Sequence, residues 1–242
     1  MPTISLDAPS SVRERLIVAL DVPDARSAQN LVTRIGEAAG IFKVGLQLFT
    51  AEGPDLVRDL VASGRKVFLD LKLHDIPNTV AHAVQSASSL GVHMLTIHAS
   101  GGSEMMRAAV QAANQRLSLL AVTVLTSLND NDLQQTGVAG RTLDQVLRLA
   151  SLAQTAGCNG VVASPHEVAQ LRKSLGEGFG IVVPGVRPAG GDKNDQQRIA
   201  TPAETIRAGA SHLVVGRPIT QAADPAGAAH EILAEMESAA KG

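Results

Sequence analysis

Two carboxylates and an ammonium interrupt an otherwise apolar run in Phe68-Leu69-Asp70-Leu71-Lys72-Leu73-His74-Asp75-Ile76-Pro77-Asn78-Thr79. Ionised groups are costly to bury without partners, so these residues need a pocket that compensates them. In an extended strand, residues two apart project from one face. Asp70 and Lys72 therefore fall together, and Asp75 lies past the break announced by Ile76-Pro77-Asn78. Carboxylates stabilise a neighbouring ammonium charge, and an ammonium fixed in this way can stabilise an anion forming on a bound molecule and then hand it a proton. For a lone Asp-x-Lys the ordinary reading is a structural ion pair at a strand end.

The elements that must position this group recur along the chain. Short β-branched runs at 16–22, 41–46, 66–73, 94–99, 119–125, 160–164, 181–186 and 212–217 each predict a parallel strand covered on both faces. Ala-, Leu- and Gln-rich stretches at 25–37, 54–63, 80–90, 105–115, 143–155, 166–175, 203–208 and 228–239 predict the helices. Eight such units at about 30 residues each predict an α/β fold, a closed (β/α)8 TIM barrel, with an open doubly wound sheet as the alternative. No linker or charge block divides residues 1–242, so one domain is expected. Thr142 is a candidate cap for the helix near Leu143, and Gly157 and Gly209 follow helix ends. Residues 188–198 are polar and glycine-containing, which predicts a mobile lid that covers a phosphate.

In such a barrel the chemistry sits at the C-terminal rim of the strands. Polar residues fall there repeatedly: Asp21 at the end of strand one, Lys43 within strand two, Asp70 and Lys72 closing strand three, and His98 closing strand four. Thr126 and Ser127 follow strand five, Pro184-Gly185-Val186-Arg187 ends strand seven, and Gly216-Arg217 ends strand eight. Singly, Asp21 is an ordinary turn opener, Lys43 an ion-pair partner, His98 a hydrogen-bonding residue and His74 a loop residue. Their recurrence at one rim favours a site. After strand eight, Gly216 permits close backbone approach, Arg217 offers a planar fork to phosphate oxygens, and Pro218 suits a first helical position. Arg187 and Gln196 are placed to close over the same anion.

Composition narrows the partners. A net charge of −2 gives no electrostatic reason to expect nucleic acid or an anionic membrane. Trp and Tyr are absent and Phe is scarce, so base recognition must use hydrogen bonds and aliphatic walls. The lone Cys158 is expected to be structural and reduced. Met1 to Ser10 shows no basic-then-apolar leader, and no run of apolar residues is long enough to span a bilayer. Together these predict a cytoplasmic protein with a small-molecule substrate.

The pattern Asp-x-Lys-x-x-Asp-Ile-Pro-Asn-Thr at 70–79 resembles the signature of the orotidine 5'-monophosphate decarboxylase family, with further matches from Asp21 to Arg217. The resemblance implies production of UMP in the last step of pyrimidine nucleotide synthesis, with no metal and no cofactor. It implies that Asp21 binds ribose hydroxyls and that Lys43, Asp70, Lys72 and Asp75 form a charged catalytic network. Asp75, Ile76 and Thr79 would come from the neighbouring subunit of a homodimer with shared active sites. Thr126 would contact the pyrimidine, with Ser127 the alternative, and Arg187, Gln196, Gly216 and Arg217 would hold the phosphate or the lid over it. Loss of CO2 from C6 of orotate leaves an in-plane carbanion outside the ring π system, for which a fixed ammonium at Lys72 is suitable. The competing readings are a sibling Mg2+-dependent sugar-phosphate barrel and a catalytically silent phosphate-binding barrel.

Overall fold

Alternation along the strands sorts the side chains into two layers. Leu16 and Val18 join Phe42, Val44, Val67 and Leu69 in an outer layer packed against helices. Ile17, Ala19, Ile41, Phe68, Met94, Leu120, Val182 and Val214 form a separate inner cluster. This two-sided burial is why the runs read as continuously apolar. In the computed structural model, which describes residues 11–188 and 200–240, eight parallel strands close into a barrel in sequence order. They are β1 (Leu16–Ala19), β2 (Ile41–Gly45), β3 (Lys66–Leu73), β4 (Met94–His98), β5 (Ser118–Val122), β6 (Gly160–Val162), β7 (Gly180–Pro184) and β8 (His212–Val215). Closure is made by β1 against β8, with Ile17 opposite Val214. The expected TIM barrel is therefore the fold, and the open-sheet alternative is excluded.

The helices are α1 (Ala25–Ile35), α2 (Leu46–Ala62), α3 (Pro77–Ser89), α4 (Gly102–Ala113), α5 (Asp130–Gln135), α6 (Thr142–Ala156), α7 (Val168–Leu175), α8 (Pro202–Arg207), α9 (Arg217–Thr220) and α10 (Pro225–Ala240). Strand one ends at Ala19, so Asp21 lies in the loop beyond it. Strand two stops at Gly45, and Leu46 begins α2, which kinks at Gly53 (φ 66°) before Pro54. A left-handed glycine followed by a residue without an N–H breaks the helical ladder, which hid the first part of α2 from a sequence reading. Helix α3 begins three residues before the predicted Val80, at Pro77, with Val80, Val84 and Ala87 on its buried face.

Thr142 is the first residue of α6 and Arg141 is its cap. The Thr142 amide and hydroxyl both donate to Asp130 Oδ1, at 2.7 and 2.5 Å. A carboxylate on α5 thus satisfies the α6 N-terminus from outside, in place of the local cap expected of Thr142. Gly157 (φ 91°) ends α6 in the left-handed conformation, as expected. Of the predicted lid at 188–198, all but Pro188 lies outside the described residues, as does Gln196.

Candidate active site

Strand β3 carries the central charges, and its backbone is irregular where they lie. Leu69 pairs with Leu95 and Leu73 with Ile97, so four steps along β3 match two along β4. Lys72 takes up the surplus with φ 52°, a left-handed conformation rare outside glycine. Such backbone costs about 1–3 kcal/mol and persists only when surrounding contacts hold it. The Lys72 amide leaves the strand ladder and donates to Thr96 Oγ1 at 2.9 Å. The Lys72 ammonium turns back onto Asp70, with its Nζ 2.8 Å from Oδ1 and 2.9 Å from Oδ2.

Lys43 extends the array from β2. Its Nζ lies 3.1 Å from Asp21 Oδ1 and 3.7 Å from Asp70 Oδ2, and the residue is only 8% exposed. Asp21, Lys43, Asp70 and Lys72 thus alternate in sign across the ends of three consecutive strands. Burial alone would push the Asp70 carboxyl up. The Lys43 and Lys72 charges, with hydrogen bonds from Lys72 and Thr96, outweigh burial and hold it below the usual carboxylate range. The expected same-face pairing of Asp70 and Lys72 is present, though reached through a bulge.

A cavity of about 170 Å³ opens beside this array, bounded by Lys43, Asp70, Lys72 and Thr126 and walled by apolar side chains such as Phe68 and Val214. Aliphatic walls around a few convergent polar groups are the usual form of a small-molecule site. A larger hollow of about 720 Å³ lies near α5 and α6, lined by Asp130, Arg141 and Thr142 among others. There Arg141 and Asp130 already have partners, Arg141 in the Asp144 carboxylate and Asp130 in the Thr142 hydroxyl, and the alternating array is absent.

At the far side of the rim, Asp21 reaches toward β8. A Cβ built on Gly216 would lie 3.6 Å from Asp21 Oδ2, so the loop after β8 adjoins the charged array. Gly216 caps α9, whose first residue is Arg217. Arg187 is 7% exposed, and its Nη1 donates to the Val186 carbonyl at 2.9 Å. Burial and then the nearby Arg217 charge hold the Arg187 guanidinium below its ordinary value. Two positive charges are thus felt by one another at this end of the rim.

The residues after β3 lie elsewhere. Asp75, Ile76 and Thr79 are exposed, and Asp75 Oδ1 accepts the Ile76 amide at 2.6 Å. This chain alone therefore does not bring them into the Asp70–Lys72 cluster. His98 ends β4 with its ring centroid 5.4 Å from that of His74. Burial first, then the His74 and Lys72 charges, keep the His98 imidazole below its ordinary value. Sequence reading missed Thr96, although a hydroxyl within Met94-Leu95-Thr96-Ile97 on the inward-facing period signalled a buried group in need of a partner. Among the described residues, no three His, Cys, Asp or Glu side chains gather as a metal set, and no helix is long and apolar enough to cross a membrane.

Comparison with known proteins agrees with this fold. The family described as "Orotidine 5'-phosphate decarboxylase / HUMPS family" matches residues 14–232. An orotidine 5'-phosphate decarboxylase from Anaeromyxobacter dehalogenans is 54% identical over 223 residues, covering 92% of this chain and 98% of that relative. One from Moorella thermoacetica is 50% identical over 234 residues, covering 93% of each chain. The crystal structure of orotidine 5'-phosphate decarboxylase from Lactobacillus acidophilus superposes with a TM-score of 0.83 at 38% identity, covering 91% of this chain and 98% of that one.

Proposed function

The chain belongs to the orotidine 5'-phosphate decarboxylase / HUMPS family and is a decarboxylase, and from that premise we propose that it converts orotidine 5'-monophosphate to UMP by means of a fixed lysine charge at Lys72. The observation that carries this reading is the Lys72 ammonium, held against both Asp70 oxygens beside an apolar-walled cavity.

In the proposed step the bond between C6 and the carboxylate breaks and CO2 departs. The electron pair stays on C6 in the ring plane, where the π system cannot delocalise it. The Lys72 ammonium stabilises that pair and then gives C6 its proton, and solvent restores the proton to Lys72. Because the positive charge is already oriented by Asp70, little reorganisation is needed as the anion forms. Lys43, between Asp21 and Asp70, neutralises the carboxylates and helps fix the second of them. Asp70 also stands where a substrate carboxylate would be repelled, but electrostatic stabilisation of the carbanion is the stronger effect.

The remaining assignments follow the rim. Asp21, already polarised by Lys43, accepts ribose hydroxyls, and Thr126 meets the pyrimidine. Arg187, Gly216, Arg217 and Gln196 receive the phosphate and close over it. Binding the phosphate far from C6 supplies energy that drives closure and excludes water, which strengthens the charge array. A second copy supplies Asp75, Ile76 and Thr79. This is supported by Ile76 being 67% exposed in the segment that follows the catalytic strand. The enzyme works in the cytoplasm as a homodimer, with no metal and no cofactor.

The test is turnover of orotidine 5'-monophosphate by Lys72→Ala. That variant is expected to fold and to lose nearly all production of UMP. Retention of wild-type turnover would remove Lys72 from the mechanism.

A further inference from the structure

Thr96 lies in the middle of β4, 0% exposed, between Leu95 and Ile97. Its hydroxyl makes two hydrogen bonds whose directions are forced by chemistry. An amide N–H can only donate, so Lys72 N gives its proton to Thr96 Oγ1 at 2.9 Å. A carboxylate can only accept, so the single Thr96 proton goes to Asp70 Oδ1, also at 2.9 Å. The Lys72 ammonium then returns to both Asp70 oxygens. Backbone of Lys72, hydroxyl of Thr96, carboxylate of Asp70 and ammonium of Lys72 thus form a closed ring.

This ring joins two features that would otherwise be costly. The bulge removes the Lys72 amide from the regular pairing between β3 and β4, and Thr96 supplies the acceptor it lacks. The Asp70 carboxylate, with its side chain 13% exposed and two ammonium neighbours, has its plane set by the Thr96 proton. We propose that Thr96 is a positioning residue for decarboxylation: its hydroxyl ties the left-handed backbone at Lys72 to the Asp70 carboxylate and thereby fixes the direction of the Lys72 ammonium. The proposal rests on the reading of Lys72 given above. Thr96 itself touches no reacting atom and acts through the two residues it joins.

A threonine that merely satisfied buried polar groups would affect stability and leave the kinetics of folded enzyme alone. The proposed role touches both kcat and its pH dependence, because the Thr96 hydrogen bond is among the contacts that hold the Asp70 carboxyl low. The experiment compares wild type, Thr96→Val, Thr96→Ser and Lys72→Ala for kcat, KM and the pH profile of kcat, with folding followed by circular dichroism and thermal unfolding. Thr96→Val keeps the shape and loses the hydroxyl. It is expected to lower kcat about 10- to 100-fold, as for loss of a hydrogen bond to a charged group, with a much smaller change in KM. The acidic limb of its profile moves to higher pH, and Thr96→Ser restores both quantities. If Thr96→Val does not fold, Thr96→Cys replaces it as a near-isostere with a weak donor, and its kcat is expected to fall below that of Thr96→Ser.

Folded Thr96→Val, or Thr96→Cys in its place, with wild-type kcat and an unmoved acidic limb overturns the proposal while Lys72→Ala remains inactive. If Lys72→Ala itself turns over normally, the lysine reading fails and the positioning role with it.

Discussion

The Lys43 ammonium occupies the space in which a side chain on Gly45 would begin: a Cβ built on Gly45 would stand 2.9 Å from Lys43 Nζ. Gly45 has φ −96° and ψ −176°, a conformation open to any residue, so backbone freedom does not explain a glycine there. Room for the charge array does. The two residues lie on one strand, two apart, and the absent side chain of one leaves space for the ammonium of the other between Asp21 and Asp70.

Gly45→Ala should therefore separate folding from catalysis. Among the described residues the tight contact is with the far end of a flexible side chain, Asp21 Oδ1 at 3.6 Å being in ordinary contact, and alanine replaces glycine at the cap of α2 for about 1 kcal/mol or less. Lys43 would move away from its carboxylates, weakening a charge-assisted pair and lowering kcat by about tenfold. Thermal unfolding and steady-state kinetics check the two halves. An unchanged kcat would mean that the position of Lys43 is not critical.

The pair Arg187 and Arg217 carries a different expectation. If their charges serve a ground-state phosphate contact, Arg217→Ala raises KM for orotidine 5'-monophosphate by about 10- to 100-fold and lowers kcat less. The same variant should discriminate poorly between the nucleotide and its unphosphorylated nucleoside. Wild-type enzyme that uses both substrates equally would contradict a phosphate role for this end of the rim.

The barrel was legible because its strands are buried on both faces, which produces short β-branched runs at nearly regular intervals. Polar residues at their C-terminal ends then marked the rim. The short helix α5 was missed because its residues are mostly polar and its capping box, Asn129 with Asp132, lies in a stretch without apolar periodicity. The role of Asp130 in holding Thr142 was hidden with it. Thr96 could be read as a buried hydroxyl, but its partners depend on a bulge in the neighbouring strand, and pairing across strands leaves no mark in the order of residues. Asp75, Ile76 and Thr79 stand out in sequence, yet they are exposed on this chain, and the order of residues does not say what they face.

The proposed sharing of sites between two subunits is tested by mixing two inactive variants. Lys72→Ala and Asp75→Ala homodimers are each expected to be nearly inactive. Subunit exchange gives hybrid dimers in which one site takes Lys72 from one chain and Asp75 from the other, while the second site lacks both. With random pairing, half the dimers are hybrids and half their sites are intact, so about a quarter of wild-type turnover should return. No recovery after demonstrated exchange would place Asp75 in the same chain's site.

The opposite end of the barrel predicts an acid sensitivity unrelated to catalysis. His212 is 3% exposed on β8, and its Nδ1 has no hydrogen-bond partner among the described residues. Burial, and then the positive charge of Arg15, outweigh Glu14 and push the imidazole down to about 4. The unfolded chain therefore binds a proton at His212 at higher pH than the folded chain does. The associated stability is complete above the unfolded value near 6.5 and is lost as pH falls toward the folded value of about 4. Its size is on the order of 3 kcal/mol. His93, held low by burial and Lys66, adds to the same slope. Urea unfolding between pH 7 and 4 should consequently show a shallower loss of stability in His212→Leu than in wild type, even where the variant starts from a different stability. Parallel slopes would mean that the folded protein accepts the proton at His212 as readily as the unfolded chain.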